Sequence, residues 1–168
     1  MNRWMSRLSR GLLASGLSAC CGYVGLAASS SSVPPDWVKV RADAVFSIMA
    51  PPGTTLHPGK GKDASAGSFE VPGFNLSYDY SYYSNPLLND SGDRNYEKRD
   101  IVIDGRKAKV VTSYSPRLSA GRPYFIGVHF SEVAKSAAGT VKLTIHTSVA
   151  QEVDYAVVEK IFESVRFE

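Results

Sequence analysis

The residues in this chain that could do chemistry are few and scattered. Its three histidines, His57, His129 and His146, are separated by 72 and 17 positions, and no cysteine lies near any of them. Compact zinc motifs draw ligands from closely spaced Cys and His, so no local metal motif is present. Acyl transfer by a serine needs Ser, His and an acid to converge. Serines are plentiful, but no Gly-x-Ser-x-Gly elbow presents one. A hydrolase or small-ligand site would have to be built around His129 or His57. Oxygen donors gather in Asn89-Asp90-Ser91-Gly92-Asp93-Arg94-Asn95. An EF-type calcium loop wants glycine at its sixth place and a bidentate glutamate at its twelfth. Counted from Asn89, those places hold Arg94 and Asp100, so the segment reads as a solvated loop. No catalytic residue, metal or cofactor is assigned.

The cysteines pose a different chemistry. Cys20 and Cys21 are the chain's two cysteines. They follow Arg3, Arg7, Arg10 and a short apolar stretch broken by Gly and Ser. A basic start, an apolar middle and small residues form the plan of a secretory signal. Leu17-Ser18-Ala19-Cys20 resembles the bacterial lipobox, which implies cleavage before Cys20 and acylation of its sulfur. The alternatives are cleavage after Ala27, or a plain buried helix with inert cysteines. Residues 1–19 are thus expected to be a signal peptide, 20–35 a lipidated Ser-rich tether, and 36–168 a single domain. Cys21 after Cys20, with no aspartate there, resembles lipoproteins released to the outer membrane. A soluble periplasmic or secreted protein is the alternative. The charge of +3 belongs to residues 1–19, since the remainder holds 16 acidic residues against as many basic ones. A nucleic-acid partner, which leans on a basic footprint, loses its support.

Two surface candidates remain. Tyr78, Tyr80, Tyr82 and Tyr83 fall in one short stretch. Alternation with Ser77, Asp79 and Ser81 gives one aromatic and one polar face. Leu76, Tyr78, Tyr80 and Tyr82 then read as an inner face. On the alternative reading Tyr82 and Tyr83, with Asp93 and the rest of the 85–95 loop, form a contact patch for a protein partner, with Tyr83 and the loop outward, since tyrosine is enriched at interfaces. Arg106, Lys107 and Lys109 follow a turn. They either protect a hairpin's exposed side or form a docking patch for an acidic partner or lipid headgroups.

The elements that must hold these residues are mostly strands. Residues 44–49 form a short strand ended by Pro51-Pro52-Gly53. Residues 57–67 read as a loop, as do 85–99 and 116–123. Pro72-Gly73 divides the strands in 68–84. Ile101-Val102-Ile103, Asp104-Gly105 and residues 106–114 form a hairpin, because Asp-Gly suits the positive φ angles of a type I′ turn. Residues 124–130 and 140–149 alternate. On that alternation His129 and His146 lie on a solvent face. Residues 153–165 change to helical spacing. The whole is an antiparallel sheet with a C-terminal helix packed on it, an α+β domain.

Ile103-Asp104-Gly105-Arg106-Lys107-Ala108-Lys109-Val110-Val111 and Ile161-Phe162-Glu163-Ser164-Val165-Arg166-Phe167 carry a resemblance. They are similar to segments of a superfamily of small exported domains sharing the fold of PsbP, the extrinsic subunit of the oxygen-evolving complex. A yeast nuclear-transport factor that binds the GTPase Ran has the same fold. The resemblance spans about residues 37–167. It implies an α/β/α sandwich around an antiparallel sheet and mostly non-enzymatic members that bind proteins. It implies no catalytic residues. The resulting expectation is a lipid-anchored envelope protein facing the periplasm, acting as a non-catalytic interaction or assembly module with a protein partner. An immunity-type lipoprotein neutralising a periplasmic toxin, and a ligand-binding protein or hydrolase, are the alternatives.

Overall fold

The computed structural model describes residues 33–59, 65–89, 92–119 and 121–168. The signal, Cys20 and almost all of the tether lie outside the described residues. Ten strands and one helix follow in chain order: β1 (Val38–Ala42), β2 (Phe46–Ala50), β3 (Thr55–Pro58), β4 (Ser65–Val71), β5 (Phe74–Ser81), β6 (Arg94–Ile103), β7 (Arg106–Ser119), β8 (Arg122–Ser136), β9 (Gly139–Val149), α1 (Tyr155–Glu163) and β10 (Arg166–Phe167). Seven strands form one antiparallel sheet in the order β3-β4-β5-β9-β8-β7-β6. A second sheet has the order β1-β2-β10.

The alternation read from sequence sets the core. Leu76 and Tyr78 of β5, Ile126, Val128 and Phe130 of β8, and Leu143 and Ile145 of β9 are buried on one face of the large sheet. Phe46 of β2 meets Phe69 and Tyr78 edge-on, with ring centroids 6.2 and 5.5 Å apart. Val158, Ile161 and Phe162 of α1 complete this core. Each such side chain contributes roughly 1.5–3 kcal/mol on burial. Tyr155 holds the helix down by donating its hydroxyl to the backbone carbonyls of Ser113 and Phe125, at 3.1 and 3.0 Å.

Turn chemistry behaves as expected at Asp104-Gly105, where φ is +50° and +72°. Elsewhere strands reach further than expected. Residues 116–123 are not a loop: β7 runs to Ser119 and β8 begins at Arg122. Pro116 and Pro123 are accommodated because β7–β8 pairing is irregular between Tyr114 and Ser119, so missing amide donors break no regular ladder. Nor are residues 85–99 all loop, since β6 starts at Arg94. A register irregularity between Arg94 and Glu97, with Asn95 at a φ of +52°, hides its alternation. As an edge strand it also carries charge, which keeps edges from pairing with other chains. Residues 57–67 contribute the ends of β3 and β4, whose pairing joins His57 to Ser68 and Pro58 to Gly67. The C-terminal helix is shorter than the apolar spacing suggests. A 3-10 turn covers Glu152–Asp154, and Ser164 closes the helix by donating to Ile161 O at 2.6 Å. The two-residue β10 then adds to β2.

The α+β class therefore stands, with one helix among the described residues. The layer packed with that helix is a small sheet. On the other face of the large sheet lies the segment 82–89, a strap in the place where a second helical layer would sit.

Candidate functional site

The strap forms because the polar face of β8 and β9 offers it partners. Thr144 is 1% exposed and sits at the centre. It donates to the carbonyl of Asn85 at 2.6 Å. Ser84 Oγ is 2.5 Å from the same hydroxyl, and His129 Nδ1 is 2.9 Å from it. Lys109 Nζ donates to the carbonyl of Pro86. Tyr96 Oη donates to the carbonyl of Leu87 at 2.9 Å. Leu87, buried and at a φ of +55°, points at Gly127. A Cβ on Gly127 would stand 2.7 Å from Leu87 Cδ1 and 3.1 Å from His146 Cβ. The missing side chain is what lets the strap approach.

The sheet register then assembles a polar row five strands wide. Asp79, Thr144, His129, Lys109 and Asp100 are successive partners across β5, β9, β8, β7 and β6. Directly opposed residues share a face, so these side chains meet although their positions in the chain are far apart. Burial and the nearby ammonium groups of Lys109 and Lys142 push the His129 imidazole down to about 4. The ring is neutral at pH 7. Burial also lowers Lys109, aided by Lys98 and opposed by Asp100. His146 is lowered by burial, with Asp79 opposing. The expectation of a solvent face for His129 and His146 is thus corrected. His129 is only 6% exposed, because the strap covers that side of the sheet.

Beside the strap the row opens into a cleft of about 650 Å³ lined by Pro86, Asp100, Val102, Lys107, Lys109 and His129, among others. Val102 is exposed there despite being apolar. A smaller hollow of about 120 Å³ lies under the strap's other end, between Leu87, Asp93, Tyr96 and Phe125.

The sequence candidates are divided by this geometry. Tyr78 and Tyr80 belong to the inner face, as alternation indicated. Tyr82 lies beyond β5, half-buried, with its hydroxyl 2.8 Å from Ser136 Oγ. Tyr83 projects outward and is 92% exposed, and Leu88 on the same strap is 60% exposed. Asp93 is half-buried, its amide donating to Asn89 Oδ1 at 2.8 Å. Arg106, Lys107 and Lys109 do not form one patch. Strand alternation sends Arg106 to the inner face, where it donates to the carbonyl of Val133 and lies 4.5 Å above the ring of Phe167. Lys107 and Lys109 point to the cleft side. His57 is remote, exposed and 3.0 Å from Glu70 Oε2. Thr144, Ser84, Leu87 and Gly127 were not singled out from sequence. The isolated Gly127 inside an alternating strand was the available signal, since such a glycine marks close approach of another segment. Among the described residues, no three His, Cys, Asp or Glu side chains gather closely enough to hold a metal.

No family model matches the chain, and no curated protein does. Among solved structures, the chain is similar to the solution structure of cyanobacterial PsbP (CyanoP) from Synechocystis sp. PCC 6803. The TM-score is 0.50 with 14% sequence identity, covering 91% of this chain and all of the other. At that identity the likeness concerns the fold: the chain has a PsbP-like fold. No helix among the described residues is long and apolar enough to cross a membrane.

Proposed function

We propose that this protein is an exported, lipid-anchored, non-catalytic interaction or assembly module, held in the cell envelope through Cys20 and docking a protein partner with its strap. The observation that carries the reading is the strap itself. Its base is fixed by Ser84, Asn85, Pro86 and Leu87, while Tyr83 and Leu88 stand outward with nothing packed over most of their surface. A rigid scaffold presenting a free aromatic and a free aliphatic side chain is what protein recognition uses, because little ordering entropy is lost on binding. The PsbP-like fold agrees with such a role. The neutral, strap-covered His129 is better suited to holding the strap than to hydrolysis. Its Nδ1 is committed to Thr144, and among the described residues no acid is hydrogen-bonded to it.

The test is affinity capture from solubilised envelope with the full-length protein and its Tyr83→Ala and Leu88→Ala variants. A partner retained by the parent and lost by both variants, at unchanged melting temperature, supports the reading. Retention by both variants contradicts it. Incorporation of labelled fatty acid that disappears in Cys20→Ala tests the anchor separately.

A further inference from the structure

The cleft beside the strap has the size and chemistry of a small-molecule site, and it lies apart from the strap's outward side chains. Ligand pockets commonly measure roughly 300–1,000 Å³ and are mostly apolar with a few convergent polar groups. At about 650 Å³, this one falls within that range, and its lining is mainly apolar.

Its polar groups can be specified one by one. Thr144 has one hydroxyl proton, and the carbonyl of Asn85, 2.6 Å away, can only accept it. His129 Nδ1, 2.9 Å from the same oxygen, must therefore donate. A neutral ring protonated at Nδ1 carries its lone pair on Nε2. Among the described residues, no hydrogen bond engages Nε2. The one sealed polar side-chain atom without a partner among the described residues is Tyr78 Oη, so Nε2 is not fully sealed, and His129 lines the cleft. Lys109 spends one N–H on the carbonyl of Pro86 and keeps two. Lys107 lies on the same side, two residues away along β7. Asp100, opposite Lys109 in register, offsets one of the two ammonium charges. The lining residues thus carry a net single positive charge, to which Lys98 and Lys142 add from outside the lining, together with one imidazole lone pair seeking a donor and the apolar surfaces of Val102 and Pro86.

We propose that the cleft binds a monoanion with a carboxylate, an adjacent N–H and a small apolar body, the chemistry of an N-acylated apolar amino acid. The carboxylate would take Lys107 and Lys109, the N–H would donate to His129 Nε2, and the apolar group would cover Val102. A free N-acyl amino acid and the C-terminus of a peptide share this chemistry.

The experiment is calorimetric titration of the full chain with N-acetyl-phenylalanine, its uncharged amide, 3-phenylpropionate and a hexapeptide ending in phenylalanine. Saturable binding of the acetylated acid is expected, with the amide and the propionate each about tenfold weaker or worse, a loss of about 1.4 kcal/mol. Lys107→Met, at an exposed position, should weaken the acid about tenfold without changing the melting temperature. The His129 Nε2 resonance should shift on saturation, and only with ligands carrying the N–H. A hexapeptide that binds much more tightly than the acetylated acid identifies the peptide end as the source, and equal affinities identify the free acid. No saturable binding of the acid or the hexapeptide, equal binding of acid and amide, or binding unaffected by Lys107→Met overturns the proposal.

Discussion

At the scale of single residues, two positions decide how the strap sits: His129, whose surroundings local pattern misread, and Gly127, which local pattern did not single out. His129 looked outward because its strand neighbours Ile126, Val128 and Phe130 look inward. Alternation gives the face correctly but cannot say whether something covers it. The cover costs acid stability. A free histidine takes a proton near 6.5, whereas folded His129 resists until about 4. Between those values the unfolded chain binds more protons than the folded one, so stability falls as pH drops through this window and is fully present above it. His146 acts in the same direction. Denaturant titrations should show a smaller loss from pH 7 to pH 4.5 in His129→Gln than in the parent. An equal loss would remove His129 from the account. Gly127 is the second case. Gly127→Ala forces Leu87 and His146 Cβ to give way, and should cost about 1–3 kcal/mol. Leu87 Cδ1 is the nearest atom it meets. Combined with Leu87→Ala, the penalty should therefore be less than the sum of the two, by at least about 0.5 kcal/mol in a double-mutant cycle. Strict additivity would mean that the two residues do not touch.

At the scale of elements, legibility followed the strength of local chemistry. The Asp104-Gly105 hairpin and the C-terminal helix were legible because positive-φ turn residues and helical apolar spacing are local signals. The start of β6, the end of β7 and both ends of β8 were not, because register irregularities and prolines interrupt their period. Residues 85–89 of the strap were read as loop, which they are, but 82–84 were read as the end of a strand, and β5 stops at Ser81. What the strap covers depends on pairing between β8 and β9, which no short window reveals. Asp104 also reaches beyond its hairpin. Its Oδ2 accepts the amide of Phe167 at 2.9 Å, tying the turn to β10. Asp104→Asn keeps an acceptor and tolerates the positive φ, whereas Asp104→Ala loses both. Chemical denaturation should find the alanine variant less stable than the asparagine one by about 1–2 kcal/mol. Equal stabilities would show that the link to β10 carries no weight. The basic cluster divided for a similar reason: period two separates Arg106 from Lys107 and Lys109, and only the latter pair borders the cleft.

At the scale of the whole molecule, a PsbP-like sheet carries a helix and a small sheet on one face and a clamped strap on the other. The likeness to CyanoP concerns this scaffold. On the proposed function, the strap's outward side chains Tyr83 and Leu88 meet a partner. The most direct test of that claim places a photo-crosslinking amino acid at Tyr83 and, as a control, at Val153, which is 71% exposed beside α1. Irradiation in cells should give one discrete adduct from position 83 and none from position 153. Equal adducts from both positions, or none from position 83, would contradict the claim.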